Sequence, residues 1–157
     1  MNYEKHLGGM TAREFLKNHW QTTPLLIKDA IATGNWALTL DDLIEFSQDP
    51  RCSTRLVINN GSQYKVSYGP VTKIDIRKLP KKNWTLLVQG VNHAHDGVAE
   101  LLRLFSFIPF ARFDDVMVSY AAPGGGVGPH YDSYDVFLLQ GTGLRQWRVG
   151  MPRSLEL

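Results

Sequence analysis

His130 and Asp132 stand two residues apart in the segment GGGVGPHYDSYDVFLLQGTGLRQW, Gly124 to Trp147, and their types and spacing point to metal chemistry. Successive side chains of an extended strand alternate faces, so an imidazole and a carboxylate at i and i+2 project to the same side. Two such donors are part of a facial triad of two histidines and one carboxylate. That triad leaves three metal positions open and is the characteristic binder of non-haem Fe(II) oxygenases. Its second histidine belongs farther along, and none follows before Leu157.

A His-x-Asp pattern alone is weak, because it arises often by chance. Its surroundings strengthen it. Gly124-Gly125-Gly126 and Gly128-Pro129 read as a lip where backbone approaches closely and aims the next residues inward; a flexible surface loop is the plainer alternative. No lysine followed by Ser or Thr stands at P-loop spacing. Tyr134 to Gln140 is a β-rich run, glycines at 141 and 143 punctuate it, and Arg145 to Val149 reads as another strand.

The block from Asp114 to Trp147 resembles the JmjC-type, cupin-fold 2-oxoglutarate oxygenases, and among them the bacterial ribosomal oxygenases that hydroxylate an arginine of a large-subunit ribosomal protein. NWTLLVQGVNHAHDGV, Asn83 to Val98, and YKVSYGP, Tyr64 to Pro70, resemble the N-terminal part of that family too, so the likeness runs over nearly the whole chain. It implies Fe(II) as the metal, 2-oxoglutarate as cosubstrate and a ribosomal protein as partner. It also implies that residues 1–157 are the N-terminal part of one domain. The rest of the barrel, the distal histidine, and the helical dimerisation and winged-helix regions of a homodimer lie in the family's C-terminal portion.

Further site residues follow from resemblance and chemistry together. 2-Oxoglutarate chelates iron through its keto and C1 carboxylate groups, which leaves its distal carboxylate for a bidentate guanidinium. Arg145 matches the family's cosubstrate arginine, whereas Arg148 falls on the opposite face by parity and reads as a surface residue. Alternation along Val116 to Ala121 puts Asp115, Met117 and Ser119 on one face and Val116, Val118 and Tyr120 on the other. Asp115 can clamp a guanidinium while Met117 packs on its stem, and the resemblance adds Tyr134 to these substrate-binding residues. An exposed turn at Asp114-Asp115 is the alternative. His93 and His95 compete for the place of third ligand, though neutral histidines packed against Asn92 and a following helix explain them without a metal. His6 and His19 read as surface residues, and Trp20, Trp36, Trp84 and Trp147 as core or rim packing.

Composition sets the outer bounds. The chain has 157 residues, 43% of them hydrophobic, which suffices for one domain with a core. A formal charge of +2 gives no argument for direct nucleic-acid binding. The single cysteine, Cys52, allows no internal disulfide and fits a reducing cytoplasm. MNYEKHLGG carries no apolar stretch of signal-peptide type, and no apolar run is long enough for a membrane.

The elements that must position the site run from helices to strands. Thr11 and Glu14 have capping-box spacing for a helix over about Ala12 to Trp20, with Met10 and Phe15 as a staple. Pro24 to Lys28 is a short strand candidate, and Thr39 with Asp41 and Asp42 opens a second helix that Pro50 closes. Arg55 to Asn59 and Gln63 to Tyr68 pair around Asn60-Gly61 as a hairpin. A lysine-rich turn, Lys78 to Lys82, precedes a strand at Trp84 to Gln89. Asp96 then caps a helix through about Phe105 that buries Leu101, Leu102 and Phe105. The expected architecture is mainly β, an incomplete double-stranded β-helix (cupin, JmjC jelly roll) with N-terminal helices. The expected activity is Fe(II)/2-oxoglutarate-dependent protein hydroxylation, and the alternative is a catalytically incomplete cupin fragment serving as a binding or assembly module.

Overall fold

Three helices of this protein begin with the same device, a threonine whose hydroxyl accepts the N–H three residues on while that residue's carboxylate accepts the threonine N–H. In the computed structural model, which describes residues 3–32 and 37–150, these are α1 (Ala12–Asn18, Thr11 with Glu14), α2 (Leu40–Phe46, Thr39 with Asp42) and α3 (Lys73–Arg77, Thr72 with Asp75). Each box satisfies two end groups that a helix leaves orphaned. The hydrogen bonds from threonine hold all three carboxyls below their ordinary range. Groups depressed by folding stabilise at neutral pH and lose that contribution as pH falls through their folded values, so these caps weaken in acid.

The described residues divide into two compact units, Met1–Thr33 with His130–Leu157, and Gly34–Pro129. The second holds a four-stranded sheet in the order β2-β1-β3-β4, antiparallel throughout, from β1 (Ser53–Asn59), β2 (Tyr64–Tyr68), β3 (Trp84–Gln89) and β4 (Val118–Ala121). The Asn60-Gly61 hairpin and the β3 limits agree with the sequence reading. One sheet face carries Leu56, Trp84, Leu86 and Val88, all buried, covered by Leu43 and Ile44 of α2, by Val71 and Val91, and by Val98 of α4 (Asp96–Arg103). Fully burying Leu86 or Val88 stabilises by about 1.5–3 kcal/mol each. Val116 and Val118 pack against this core, and the Tyr120 ring lies 5.6 Å from that of Trp84, so the alternation expected before the glycines holds.

Several expectations need correction. Pro24 to Lys28 forms no strand; Leu25 and Leu26 are exposed, and an apolar run without a neighbouring ladder stays irregular. Tyr134 to Gln140 and Arg145 to Val149 are not strands either, because no described segment pairs with them. The α4 cap is His95, whose Nδ1 accepts the Val98 N–H at 3.2 Å, and Asp96 is the first helical residue. The short helix α3 lies just before the lysine-rich turn at Lys78 to Lys82, where no element was expected, although Thr72 and Asp75 had the capping spacing. His6 is buried rather than superficial, edge-on to Tyr3 at 5.9 Å, and His19 stacks on Phe15 at 6.3 Å. Trp36 lies outside the described residues.

Gly90 ends β3 with φ +77, and a Cβ there would meet the Arg51 carbonyl oxygen at 2.8 Å. Left-handed backbone and a backbone clash coincide, so Gly90→Ala is expected to destabilise by about 2 kcal/mol or more in urea unfolding. An unchanged midpoint and slope would show that the turn can relax.

Candidate metal and substrate site

His130 and Asp132 do come together. Imidazole Nε2 lies 3.7 Å from carboxylate Oδ2, with the two side chains 51% and 39% exposed. That separation is shorter than two metal–ligand bonds of about 2.0–2.2 Å laid end to end, so one cation can touch both atoms. The donor set, one nitrogen and one carboxylate oxygen, suits a divalent first-row metal. Among the described residues no group of three His, Cys, Asp or Glu is placed to hold an ion.

What positions this pair was not read from the sequence. The Phe137 ring packs 6.0 Å from Phe15 and stacks 5.8 Å from Trp20, and Gln21 Nε2 donates to Asp135 Oδ2 at 3.0 Å. Asp135 and Phe137 thus turn toward α1 and the residues after it, while Tyr134, Val136 and Leu138 remain 60%, 51% and 54% exposed. The segment alternates faces even without a ladder. Tyr134 shares the parity of His130 and Asp132, and nothing in the sequence marked the opposite parity for contact with the residues around α1. Arg145 follows the same rule, its guanidinium carbon 5.8 Å from the Trp147 ring two residues on.

The glycine lip is close-packed at Gly124, Gly125 and Gly128 and open at Gly126. A Cβ on Gly124 would run into Asn83 Oδ1, one on Gly125 into the Trp84 carbonyl, and one on Gly128 would lie 2.9 Å from the Tyr64 ring. Gly125 also donates its N–H to the Ala122 carbonyl at 2.7 Å.

Asp115 and Met117 lie in the sheet-bearing unit, just before and at the entrance to β4. Asp115 Oδ2 accepts the buried Gly90 N–H at 2.7 Å, and Asn92 Oδ1 accepts the Val116 N–H at 2.8 Å. These two bonds lash the end of β3 to the start of β4 beyond their last ladder pair, Val88 with Val118. Met117 is 46% exposed, with Arg55 Nη2 3.8 Å from its sulfur. His95 is used as a helix cap, which supports the non-metal explanation for the NHAH cluster. Cys52 is half-buried, its thiol 3.7 Å from the Gly90 carbonyl, and burial pushes its pKa up, as expected of a structural cysteine.

Comparison with known proteins places the chain beside one group of oxygenases. Residues 100–156 match the JmjC domain family. The chain is 44% identical to the ribosomal protein uL16 3-hydroxylase of Escherichia coli, over 87% of this chain and 36% of that protein. It is 41% identical to a probable ribosomal oxygenase of Haemophilus influenzae, over 90% of this chain and 35% of that one. A solved ribosomal oxygenase from Escherichia coli in complex with cobalt and 2-oxoglutarate superposes with a TM-score of 0.72 at 38% identity, covering 80% of this chain and 34% of the other. The chain spans about a third of the length of the curated relatives it matches. It is similar to the N-terminal part of JmjC-type ribosomal oxygenases, and its antiparallel sheet with helices matches part of the fold of these solved neighbours.

Proposed function

We propose that this chain is the N-terminal part of a single JmjC domain in a cytoplasmic Fe(II)- and 2-oxoglutarate-dependent hydroxylase that acts on an arginine of a large-subunit ribosomal protein. The observation that carries it is the His130–Asp132 pair, 3.7 Å apart, in a chain 44% identical to a ribosomal protein hydroxylase. With iron and 2-oxoglutarate bound, the cofactor chemistry consumes O2, releases succinate and CO2, and converts a substrate C–H to C–OH. His130 Nε2 and Asp132 Oδ2 are the metal donors this segment supplies. Arg145 holds the distal carboxylate of the cosubstrate, and Asp115, Met117 and Tyr134 are the substrate-binding residues. The ring of Trp147 beside Arg145 restricts the guanidinium and lowers the entropy lost when it is engaged.

Two protein ligands hold a metal far less firmly than three. The 157-residue polypeptide is therefore expected to bind Mn(II), a spectroscopic surrogate for Fe(II), about a hundredfold or more weaker than a polypeptide that adds the third ligand. Residual binding in an electron paramagnetic resonance titration should vanish in His130→Ala and in Asp132→Ala. Binding unaffected by either change would overturn the assignment. Tight stoichiometric binding would return His93 or His95 to the ligand set. A second reading, in which this segment alone serves as a binding or assembly module, is compatible with the two donors it supplies. Stoichiometric metal with succinate release by the isolated segment would exclude it.

A further inference from the structure

The formal charge of +2 averages over a marked segregation. Between Lys73 and Lys82 stand five cations and one carboxylate, whereas the rest of residues 34–129 hold five cations and eight carboxylates. Lys73 is paired with Asp41 at 2.9 Å, and Asp75 is committed to its bonds with Thr72. Arg77, Lys78, Lys81 and Lys82 are exposed, and none has an ion pair among the described residues.

The backbone that presents them is fixed rather than loose. Lys78 and Leu79 donate to carbonyls of α3, Trp84 Nε1 donates to the Pro80 carbonyl at 2.8 Å, and Asn83 N–H donates to the Pro123 carbonyl at 2.8 Å. Trp84 itself is buried in the core. Asn83 also abuts Gly124, so the cationic strap borders the glycine lip from which the chain runs to His130. Four like charges on one fixed strap repel one another, and the one carboxylate near them, Asp75, attracts Lys78 without forming an ion pair and is bonded to Thr72; a polyanion relieves that repulsion.

We infer that Arg77, Lys78, Lys81 and Lys82 form a contact surface for an RNA phosphate backbone. The charge pattern itself argues for a polyanion, and the choice of RNA rests on the proposed ribosomal protein substrate, which is presented on an RNA-rich particle. Flexible lysines on an anchored strap suit sequence-independent phosphate contact rather than base reading, since they carry point charges without a planar fork.

The test is RNA binding by the 157-residue chain without metal, so its outcome is independent of the hydroxylase reading. A fluorescent single-stranded RNA of about twenty nucleotides is titrated at several salt concentrations. Four phosphate contacts predict a log–log salt slope of about −3. Lys78→Gln with Lys81→Gln and Lys82→Gln should weaken binding about tenfold or more and flatten the slope to about −0.7. The control, Lys5→Gln with Lys17→Gln and Lys28→Gln, removes the same net charge from the other unit and should retain the parental slope. Lys81→Gln with Lys82→Gln alone should lie between, and circular dichroism checks folding of each variant. No RNA binding, equal losses in the two triple variants, or equal affinity for polyglutamate or anionic lipid vesicles would each overturn the assignment. Failure of hydroxylation with RNA binding intact would count against the enzyme reading alone.

Discussion

Arg145→Ala raises the Michaelis constant for 2-oxoglutarate by about 10- to 100-fold in a polypeptide that joins this segment to the rest of its barrel. A charge-assisted contact with a carboxylate contributes about 1.5–3 kcal/mol, and each 1.4 kcal/mol is a factor of ten. Arg148→Ala changes the constant by no more than about two- to threefold, the range of an ordinary surface substitution. The contrast rests on alternation, which the structure displays locally: Arg145 stacks on Trp147 two residues away, and Arg148 falls on the other parity. Steady-state kinetics on the two variants checks it, and equal effects would remove the parity argument. Arg145→Lys is the informative companion. It keeps the charge but loses the planar fork, and an intermediate rise identifies bidentate recognition rather than simple attraction.

The parts of this protein legible in its sequence are those whose cause is local. Thr11 with Glu14 and Thr39 with Asp42 specify helix starts by hydrogen bonds spanning three residues, and Asn60-Gly61 specifies its hairpin by turn geometry. The strand at Trp84 to Gln89 was legible because a buried apolar run has few other solutions. The closeness of His130 and Asp132 was legible for the same reason, since i and i+2 alternation places one beside the other before any tertiary contact exists. What failed was non-local. Tyr134 to Gln140 has the composition of a strand, but a strand is a pairing, and no described segment offers it a ladder. Phe15, Trp20 and Gln21 hold Phe137 and Asp135 from more than a hundred residues away, and no pattern in one sequence announces that contact. His95 misled for a subtler reason: imidazole is an uncommon cap, so neighbouring Asp96 drew the assignment.

Asp115 carries the largest expected effect on the substrate step, and the structure changes how it must be tested. Its Oδ2 accepts the Gly90 N–H, a buried donor at a turn where the backbone is already left-handed. Asp115→Ala therefore does two things at once. It removes the proposed partner of the substrate guanidinium, and it orphans a buried N–H at a cost of about 1–3 kcal/mol in stability. Loss of hydroxylation in that variant alone would not separate the two causes. Asp115→Asn does separate them, because the amide oxygen can still accept from Gly90 while the negative charge is gone. In the extended polypeptide, Asp115→Asn is expected to unfold within about 1 kcal/mol of the parent yet to lose at least about a hundredfold in kcat/KM for an arginine-containing ribosomal peptide, as expected when one partner of a desolvated charge pair is neutralised. Mn(II) binding and slow uncoupled 2-oxoglutarate decarboxylation should stay near parental values, since the change leaves His130, Asp132 and Arg145 in place. Peptide hydroxylation by Asp115→Asn at the parental rate, measured beside intact stability, would mean that this carboxylate serves only to tie β3 to β4, and that the target side chain is one without a cationic group to neutralise, such as a neutral histidine.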